Sequence, residues 1–410
     1  MKRTTQLLAA AAIGLIASPA LATNGMRMTG FGPVQDGMGG VGVAATLDSS
    51  AMMSNPAGIS DVGRRLDVSG TLFVPTVSFS AAGAGSGKTE DSTRGASVIP
   101  NLGVVVPVGG GVTLGLGAFG SSGMGVDYPA DLYGSTLSTS FQELVLTPTV
   151  AWKPCAHLSF GLALDVAWGQ MSYAAASAMG QVPHDTANSL GLGATVGVKF
   201  TPIEPLSFGV SYQTRTWFKD YAFSVGPHTV QIPGVGSAPV PGGTDELAFD
   251  QPAVLSGGVA WRAVPSLLLA ADVEWIQWSE TVGASQPRYV NNTNLTGAMP
   301  FDMNWSDQVV VKLGLEWSVV PAWKIRLGYD YGKMPLDASR AFENIAFPAL
   351  AEHHFSGGLG WEVTDALAIN ASVTWAPKAT LSGANASQGI SSYTTSMSQV
   401  QADLGLAWKF

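Results

Sequence analysis

Four charged residues fall in two neighbouring segments that alternate between apolar and polar side chains. Lys312 and Glu316 lie in one segment, and Lys324 and Arg326 lie in the next. A pattern of period two is typical of β-strands, whose successive side chains point to opposite faces. The four charges would then share one face, with Glu316 roughly opposite Lys324. They would either form an internal ion-pair network or, through Lys312 and Arg326, bind the carboxylate of a ligand.

Two further motifs suggest chemistry but lack the context that it requires. Residues 115–120 fit GxGxxG, yet a dinucleotide site needs a strand before these glycines and a helix after them. Glu352 precedes His353 and His354, but adjacent strand residues point to opposite faces, so the histidines are not expected to share a metal ion. No Ser/His/Asp spacing indicates hydrolysis. The sequence therefore predicts no cofactor, no metal and no enzymatic activity.

The composition favours a membrane protein. Only 12% of the 410 residues are charged, whereas soluble domains average about 25%. Residues 1–22 contain Lys2 and Arg3, an apolar run and a small-residue end, which predicts a cleavable signal peptide, with an anchoring helix as the alternative. Beyond them no apolar run of about 18 residues occurs. A β-barrel is the other structure that satisfies every backbone group in lipid.

Charge and cysteine content narrow the class further. The chain carries 29 acidic residues against 20 lysines and arginines, which argues against a nucleic-acid partner. The single Cys155 excludes an internal disulfide. An exported chain without disulfides fits a bacterial surface better than a small secreted scaffold.

Residues 64–410 alternate between apolar and small or polar side chains in about fourteen segments, joined by short and long connections in turn. This pattern predicts an all-β fold, a transmembrane antiparallel β-barrel of about fourteen strands. Aromatic residues recur near the segment ends, as at the two interfaces of a membrane. They are Trp152, Phe200, Trp261, Trp317, Trp361 and Trp408 at one end, and Trp168, Trp275, Tyr331 and Trp375 at the other.

Residues 23–63 fit neither a strand nor an amphipathic helix. They are rich in glycine, methionine and small residues. Irregular backbone can exist at membrane depth only where protein encloses it, so this segment is predicted to be a plug, or hatch, inside the barrel. Its methionines, Met52 and Met53 among them, would either contact a hydrophobic ligand or simply pack against the wall.

Several motifs resemble the FadL/TodX family of outer-membrane transporters for hydrophobic compounds. Asn55-Pro56-Ala57 matches the NPA motif of that family's hatch, and the resemblance covers essentially the whole mature chain. Further matching stretches are Val104–Val108, Leu158–Ala163, Tyr212–Asp220, Glu274–Ser279, Trp323–Tyr329 and the terminal Phe410.

The resemblance implies passive uptake of long-chain fatty acids, or of aromatic and alkane hydrocarbons, across the bacterial outer membrane. A ligand would leave sideways at a kink in the third strand, here Val112–Tyr128. Glycines weaken strand pairing and mark bends, so Gly120, Gly123 and Gly125 are the kink candidates, and Gly123 matches the family best. General glycine richness is the alternative explanation. Phe119 and Met124 are candidate ligand contacts in the same strand.

The substrate and the hatch movement stay open at this point. Fatty-acid members carry basic residues near the ligand head, whereas Met171–Ala178 has none, which favours a neutral hydrocarbon. Pro56 restricts Asn55 to an extended backbone, and the turn is either a moving latch or a fixed packing element. The alternative functions are a general diffusion porin for polar solutes and a membrane-embedded lipid hydrolase.

The expected partners follow from the same resemblance. They are a hydrophobic small molecule, outer-membrane lipid and the barrel assembly machinery, which would recognise the C-terminal strand ending at Phe410. The protein is expected to be a monomer.

Overall fold

The computed structural model describes residues 24–410, except for a set of short internal stretches. These exceptions are 84–85, 130–135, 175, 178–179, 182–183, 233–235, 285–288, 291–302 and 387–388. The predicted signal peptide of residues 1–22 lies outside the described residues, and so does part of the stretch 171–178.

Within the described residues, fourteen antiparallel strands form a closed barrel. Each strand pairs with the next, and the last strand pairs with the first. Arg65 is opposite Lys409 at one end of this pairing, and Gly83 is opposite Ile390 at the other. The all-β barrel expected from the sequence is therefore confirmed. The strands are β1 Arg65–Gly83, β2 Ser97–Gly109, β3 Val112–Tyr128, β4 Leu137–Cys155, β5 Leu158–Ala174, β6 Ala187–Ile203, β7 Leu206–Gln213, β8 Val254–Val264, β9 Leu267–Ile276, β10 Gln308–Val320, β11 Trp323–Gly332, β12 His353–Glu362, β13 Leu367–Asn385 and β14 Ile390–Lys409.

Shorter elements lie in the connections and in the N-terminal segment. The connections hold the strands Ser86–Asp91, Ala176–Ser177, Gly180–Gln181, Trp217–Phe218, Tyr221–Val225, His228–Ile232, Gly236–Val240, Gly243–Leu247 and Tyr289–Val290. The helices are α1 Pro33–Asp36, α2 Ala51–Ser54 and α3 Ser279–Val282, with 3₁₀ turns at Pro56–Asp61 and Ala338–Arg340. In the part of the chain that the structure describes, no helix is long and apolar enough to cross a membrane.

The outer face of the barrel is apolar and ends in aromatic residues. Side chains such as Leu404, 63% exposed, point outward along every strand. Trp152 and Trp408 are exposed at the end with the tight turns, and Trp168 and Trp375 are exposed toward the other end. Tight turns face the periplasm in outer-membrane barrels. The band is therefore a lipid-facing surface with a predicted girdle at each interface.

The inner face is built of small residues because the N-terminal segment, the hatch, fills the lumen. A Cβ atom added to Gly328 of β11 would lie 1.9 Å from the backbone nitrogen of Gly39. One added to Gly314 of β10 would lie 2.6 Å from the carbonyl oxygen of Met38. Gly39 itself has a φ of +70°, a conformation that side chains disfavour. Both surfaces of this contact therefore require glycine.

We predict that Gly328→Ala weakens hatch docking, because its methyl group would overlap the hatch backbone. Overpacking of this kind costs about 1–3 kcal/mol. Limited proteolysis of the folded protein in detergent should then cut the hatch faster. The matched control is Gly70→Ala, on the lipid face of β1, where an added Cβ meets nothing within 4 Å. Equal proteolysis of the two variants would contradict the tight fit.

Candidate functional site

The NPA motif docks the hatch against the inner face of β5, β6 and β7. Asn55 is fully buried and extended, with φ −155° and ψ 99°, as a residue before proline should be. Its Nδ2 donates to the carbonyl oxygens of Val43 (2.7 Å) and Val198 (3.1 Å). Its Oδ1 accepts from the backbone N–H of Ala57 at 3.2 Å. One amide therefore ties two parts of the hatch to the barrel wall.

Three glycines of the wall make room for this motif. A Cβ at Gly161 would lie 2.1 Å from the nitrogen of Ala57, and one at Gly197 would lie 2.1 Å from Asn55 Oδ1. A Cβ at Gly209 would lie 2.2 Å from the carbonyl oxygen of Val43. The motif and these glycines form one close-packed contact.

A charged anchor holds the end of the hatch at the periplasmic rim. Asp61 accepts ion pairs from Lys153 at 2.6 Å and from Lys199 at 2.9 Å. Burial alone would raise the pKa of Asp61, but the two ammonium groups outweigh it and hold that pKa below its ordinary value. A depressed carboxyl pKa stabilises the fold at all pH values above about 4. This anchor therefore stays charged at physiological pH.

Inward-facing acceptors on the wall satisfy backbone N–H groups of the hatch. Asp272 Oδ2 on β9 accepts from the nitrogens of Gly42 at 2.7 Å and Val43 at 3.0 Å. Ser356 Oγ on β12 accepts from Gly39 at 3.0 Å. The irregular hatch backbone is thus hydrogen-bonded to the barrel, as burial at membrane depth requires.

The third strand leaves its neighbour halfway along its length. The pairing of β2 with β3 begins where Gly109 is opposite Val112 and continues to the point where Asn101 is opposite Phe119. The described pairing ends there. β4 follows β3 to its end but shifts register between Gly120 and Ser122. Ser121 is therefore a β-bulge, and from residue 119 to 126 every residue of β3 is buried.

The start of the hatch occupies the edge of β3 that β2 has released. The N–H of Met28 donates to the carbonyl oxygen of Ser121 at 3.0 Å, and the N–H of Gly123 donates to that of Met26 at 2.9 Å. Arg27 and Ser122 face each other in this antiparallel bridge. The Arg27 guanidinium interacts with the carboxylates of Glu143, Asp165 and Glu274. The hatch therefore replaces β2 as the partner of β3.

The three predicted kink glycines take different places around the bulge. Gly120 lies directly before it, and a Cβ there would meet Cγ2 of Ile99 at 2.2 Å. Gly123 lies two residues after the bulge and bonds to the hatch. A Cβ at Gly125 would meet the carbonyl oxygen of Thr139 at 2.2 Å. The irregularity is centred on Ser121, which the sequence did not single out.

The apolar ligand-contact candidates are all buried, and they surround the same region. Met52 packs onto glycines of β2 and β3, since a Cβ at Gly115 would lie 2.6 Å from its sulfur. Phe119 packs edge-on against Phe31 of the hatch, with ring centroids 6.3 Å apart. Met53 and Met124 belong to the same buried cluster. Their role toward a ligand stays a prediction.

The two basic candidates are engaged in internal ion pairs. Lys312 Nζ donates to Glu274 at 2.8 Å and to the carbonyl oxygen of Thr29 at 2.9 Å. Arg326 donates to Glu316 through Nε and Nη2, each at 2.8 Å. The expected pairing of Glu316 with Lys324 was wrong, because β10 and β11 are joined by a two-residue turn.

The register of the hairpin follows from this turn and from a register shift between Ser318 and Val320. Ser318 is opposite Lys324, and Glu316 is opposite Arg326. Lys324 instead pairs with Glu362 at 3.2 Å. The inward charges thus form a network within the lumen.

The adjacent histidines point to opposite faces, as their place in a strand predicted. His354 is buried, and its Nδ1 lies 2.8 Å from Asp330 Oδ1. Asn24 of the hatch donates to the other oxygen of Asp330 at 3.0 Å. His353 is exposed, with its Nδ1 2.8 Å from the Tyr329 hydroxyl.

These features define a plugged barrel of the outer-membrane transport class. A family model described as "Outer membrane protein transport protein (OMPP1/FadL/TodX)" matches residues 15–405. The chain belongs to this family, which is a family of outer-membrane transport proteins and not of enzymes.

Solved structures share the fold at low sequence identity. The toluene transporter TodX of Pseudomonas putida superposes with a TM-score of 0.75 at 17% identity, over 93% of this chain and 99% of TodX. A FadL homologue of Pseudomonas aeruginosa gives 0.73 at 16% identity, over 96% of this chain and 100% of that one. The toluene transporter TbuX of Ralstonia pickettii gives 0.68 at 19% identity, over 93% and 99%.

A curated relative matches a short part of the chain. An uncharacterized protein from the phosphoenolpyruvate carboxykinase 5' region of Chlorobium limicola is 44% identical over 71 residues. The match spans 15% of this chain and 35% of that protein.

Several wall residues that contact the hatch were missed in the sequence, among them Asp272 and Ser121. Asp272 and Ser121 each lie on the inner face of a strand and bond to hatch backbone. A carboxylate between the apolar residues of β9 is a signal that could have indicated Asp272, because a charge inside a barrel needs a partner. The bulge at Ser121 has no comparable signal in a glycine-rich strand.

We predict that Asn55→Ala loosens the hatch, because it removes the donor to Val43 and Val198. A buried carbonyl left without its donor costs about 1–3 kcal/mol. Asn55→Asp should be at least as disruptive, since it places a carboxylate beside the same carbonyl oxygens. Protease resistance of the hatch is the measurement, with the outward-facing Asn188→Ala as control. Intact resistance in both Asn55 variants would contradict the anchor.

Proposed function

We propose that this protein passes small hydrophobic molecules across the outer membrane by passive diffusion and releases them sideways between β2 and β3. The observation that carries the proposal is the exchange of partners on β3. Beyond Phe119, residues 26–28 of the hatch take the edge that β2 leaves. A wall closed by a removable segment is a gate, whereas a wall closed by a strand is not.

An apolar route supports this proposal. One continuous cluster of buried hydrophobic residues joins the outer connections to the hatch and to β3. It includes Phe347 and Phe141 in the outer half, Phe119 at the point where β2 leaves β3, and Met26 of the hatch. Burial of apolar surface contributes roughly 25 cal/mol per Å², so a hydrophobic molecule would prefer this route to water. No energy source is required for movement down a gradient.

The charges of the lumen favour a neutral ligand over a fatty-acid carboxylate. Lys312 and Arg326, the two basic candidates, already have carboxylate partners at hydrogen-bond distance. An anion there would have to take Lys312 from Glu274 or Arg326 from Glu316, and breaking a buried ion pair is costly. Two structural relatives, TodX and TbuX, are described as toluene transporters. We therefore propose a neutral hydrocarbon as the substrate class.

The gate would open by release of the first hatch residues while the NPA end stays in place. Residues 26–28 make two backbone hydrogen bonds to β3, and a typical protein hydrogen bond contributes only about 1 kcal/mol net. Release must also break the interactions of Arg27 with three wall carboxylates and the bond of Asn24 to Asp330. The NPA end is attached to other strands, by the Asn55 amide and the Asp61 ion pairs. On this proposal the NPA motif is a fixed anchor and residues 24–28 are the moving part.

A tether across the gate tests lateral release. In a Cys155→Ser background we predict that Arg27→Cys with Ser122→Cys forms a disulfide, because directly opposed residues have Cα atoms about 4.5–5.5 Å apart. The oxidised protein should lose at least tenfold in the rate of hydrocarbon uptake by cells, and reduction should restore it. Because one variant is compared in two redox states, the lost Arg27 charge is the same in both.

The matched control tethers the anchored end of the hatch. The side-chain oxygens of Ser60 and Ser159 lie 3.0 Å apart, so Ser60→Cys with Ser159→Cys should also cross-link. Uptake should be unchanged by this bond. Full uptake with the Arg27–Ser122 position linked would overturn the lateral gate.

Comparison of uptake with conductance distinguishes this function from a general porin. Cells producing the protein should accumulate labelled toluene faster than cells without it, and octanoate should show a smaller gain. In planar bilayers the purified protein should give no large steady ion current, because the hatch fills the lumen. A steady current together with equal uptake of polar solutes would support the porin instead.

A further inference from the structure

The connection between β11 and β12 folds into the outer half of the barrel. We call its residues 336–350 the stopper loop. From residue 341 to 350 nearly every residue is buried, with Phe347 1% exposed and Phe342 4% exposed. Connecting segments normally run over the surface, because their backbone polar groups need water. This loop is therefore an exception that needs an explanation.

The stopper loop satisfies its own backbone by consecutive turns. Ile345 donates to the carbonyl oxygen of Phe342, and Phe347 donates to that of Asn344.

Side chains join the stopper loop to other elements: Thr139 on β4 donates to the carbonyl oxygen of Ala346 at 2.6 Å. In the connection between β9 and β10, Trp305 Nε1 donates to Asn344 Oδ1 at 2.7 Å, and Asn344 Nδ2 donates to the carbonyl oxygen of Met303 at 2.9 Å. At its edge Asn385 donates to Glu343 at 2.6 Å. The backbone turns within the loop can stay formed when it moves, and the bonds that movement must break include those at Asn344, Ala346 and Glu343.

Its two phenylalanines enter aromatic surroundings supplied by other elements. Phe347 stacks on Phe249 with ring centroids 6.1 Å apart, and Phe249 meets Phe141 of β4 edge-on at 5.2 Å. Phe342 meets Tyr393 of β14 edge-on at 5.6 Å. These spacings lie in the 4.5–7 Å range of favourable aromatic pairs.

A second row of rings continues from this contact toward the gate. Tyr393 stacks on Phe79 of β1 at 5.9 Å, and Phe79 meets Tyr128 at the end of β3 edge-on at 4.8 Å. The rings of the wall and of the stopper loop therefore form a chain that leads to β3.

We infer that the space filled by Phe347 and Phe342 is a binding site for one aromatic ring of a neutral hydrocarbon, and that the stopper loop must leave it before a ligand enters. The inference deepens the proposed transport function and depends on it for the source of the ligand. The side chain of phenylalanine is a benzyl group, which is toluene joined to the main chain. The walls that accept this group have the shape and chemistry to accept free toluene.

The walls of the site are aromatic and uncharged, and this selects for a neutral ligand. Phe141, Phe249, Phe79 and Tyr393 present no charged group to the rings of the loop. An ionised carboxylate placed there would lose its hydration and would find no cationic partner among these four side chains. Offset and edge-on ring contacts add stabilisation beyond that of burial alone, which favours an aromatic ring over an alkyl chain of equal area.

The inference is tested by the accessibility of the stopper loop. In a Cys155→Ser background, Ala346→Cys places a thiol in the loop at a position only 9% exposed. A thiol reagent should label it slowly, at a rate set by loop opening. A ligand that binds only the open state raises the open population by 1 + [L]/Kd. Toluene at ten times its Kd for the open state should then accelerate labelling roughly tenfold.

Ala167→Cys is the matched control, because Ala167 is a buried alanine of β5 in the same apolar cluster. Its labelling should not respond to toluene. The inference is overturned if toluene leaves labelling at residue 346 unchanged, or accelerates both positions equally. The preference for an aromatic ligand is overturned if n-octane, at the same fraction of its solubility as toluene, accelerates labelling as much as toluene does.

A second variant tests the same inference without a change inside the site. Glu343→Cys with Asn385→Cys replaces the hydrogen-bonded pair at the edge of the loop, and a short cleavable thiol cross-linker would hold the loop closed. Toluene binding to the purified protein should be lost on linking and recovered on cleavage. Unchanged binding by the linked protein contradicts the inference.

The two proposals can fail separately. Toluene-dependent labelling without toluene uptake by cells would support the site and refute the transport function. Uptake without any response of the stopper loop would do the reverse.

Discussion

Every backbone N–H and C=O inside a membrane must find a partner within the protein, and this protein meets that constraint with two kinds of partner. Along most of the wall, the partner is a neighbouring strand. On the edge of β3 from Ser121 to Gly123, it is the hatch. The barrel is therefore complete as a hydrogen-bonded surface only while the first residues of the hatch are in place. Without them, the carbonyl oxygen of Ser121 and the N–H of Gly123 would lose these partners.

The glycine-rich lumen follows from the same constraint. A hatch without regular structure needs acceptors at irregular positions, and Asp272 and Ser356 provide them. It also needs the wall to approach closely, which Gly161, Gly197 and Gly328 permit. In an open pore these glycines would only weaken the strands. Here they are one half of a packed interface, and that interface leaves little room for a path for ions.

The sequence predicted what depends on local pattern and missed what depends on distant contacts. Strand alternation and terminal tryptophans such as Trp152 and Trp408 were sufficient to predict a lipid-facing barrel, and the lack of pattern in the hatch was sufficient to predict a plug. The pairing of Glu316 was wrong by two residues, because the position of the turn and the register shift between Ser318 and Val320 set the pairing of the hairpin. The bulge at Ser121 and the burial of Phe347 depend on contacts between remote segments, which no local signal records.

The hatch bonds to residues that are far away in the sequence, and this limits the order in which the protein can fold. Asn24 bonds to Asp330, 306 residues further along the chain, and Gly39 bonds to Ser356, 317 residues away. Contacts of such long sequence separation form slowly, because loop-closure entropy opposes them until much of the structure exists. Asp330 and Ser356 lie on β11 and β12, so the hatch cannot complete its bonds until those strands have joined the sheet. The segment that comes first in the chain is thus among the last to reach its final conformation.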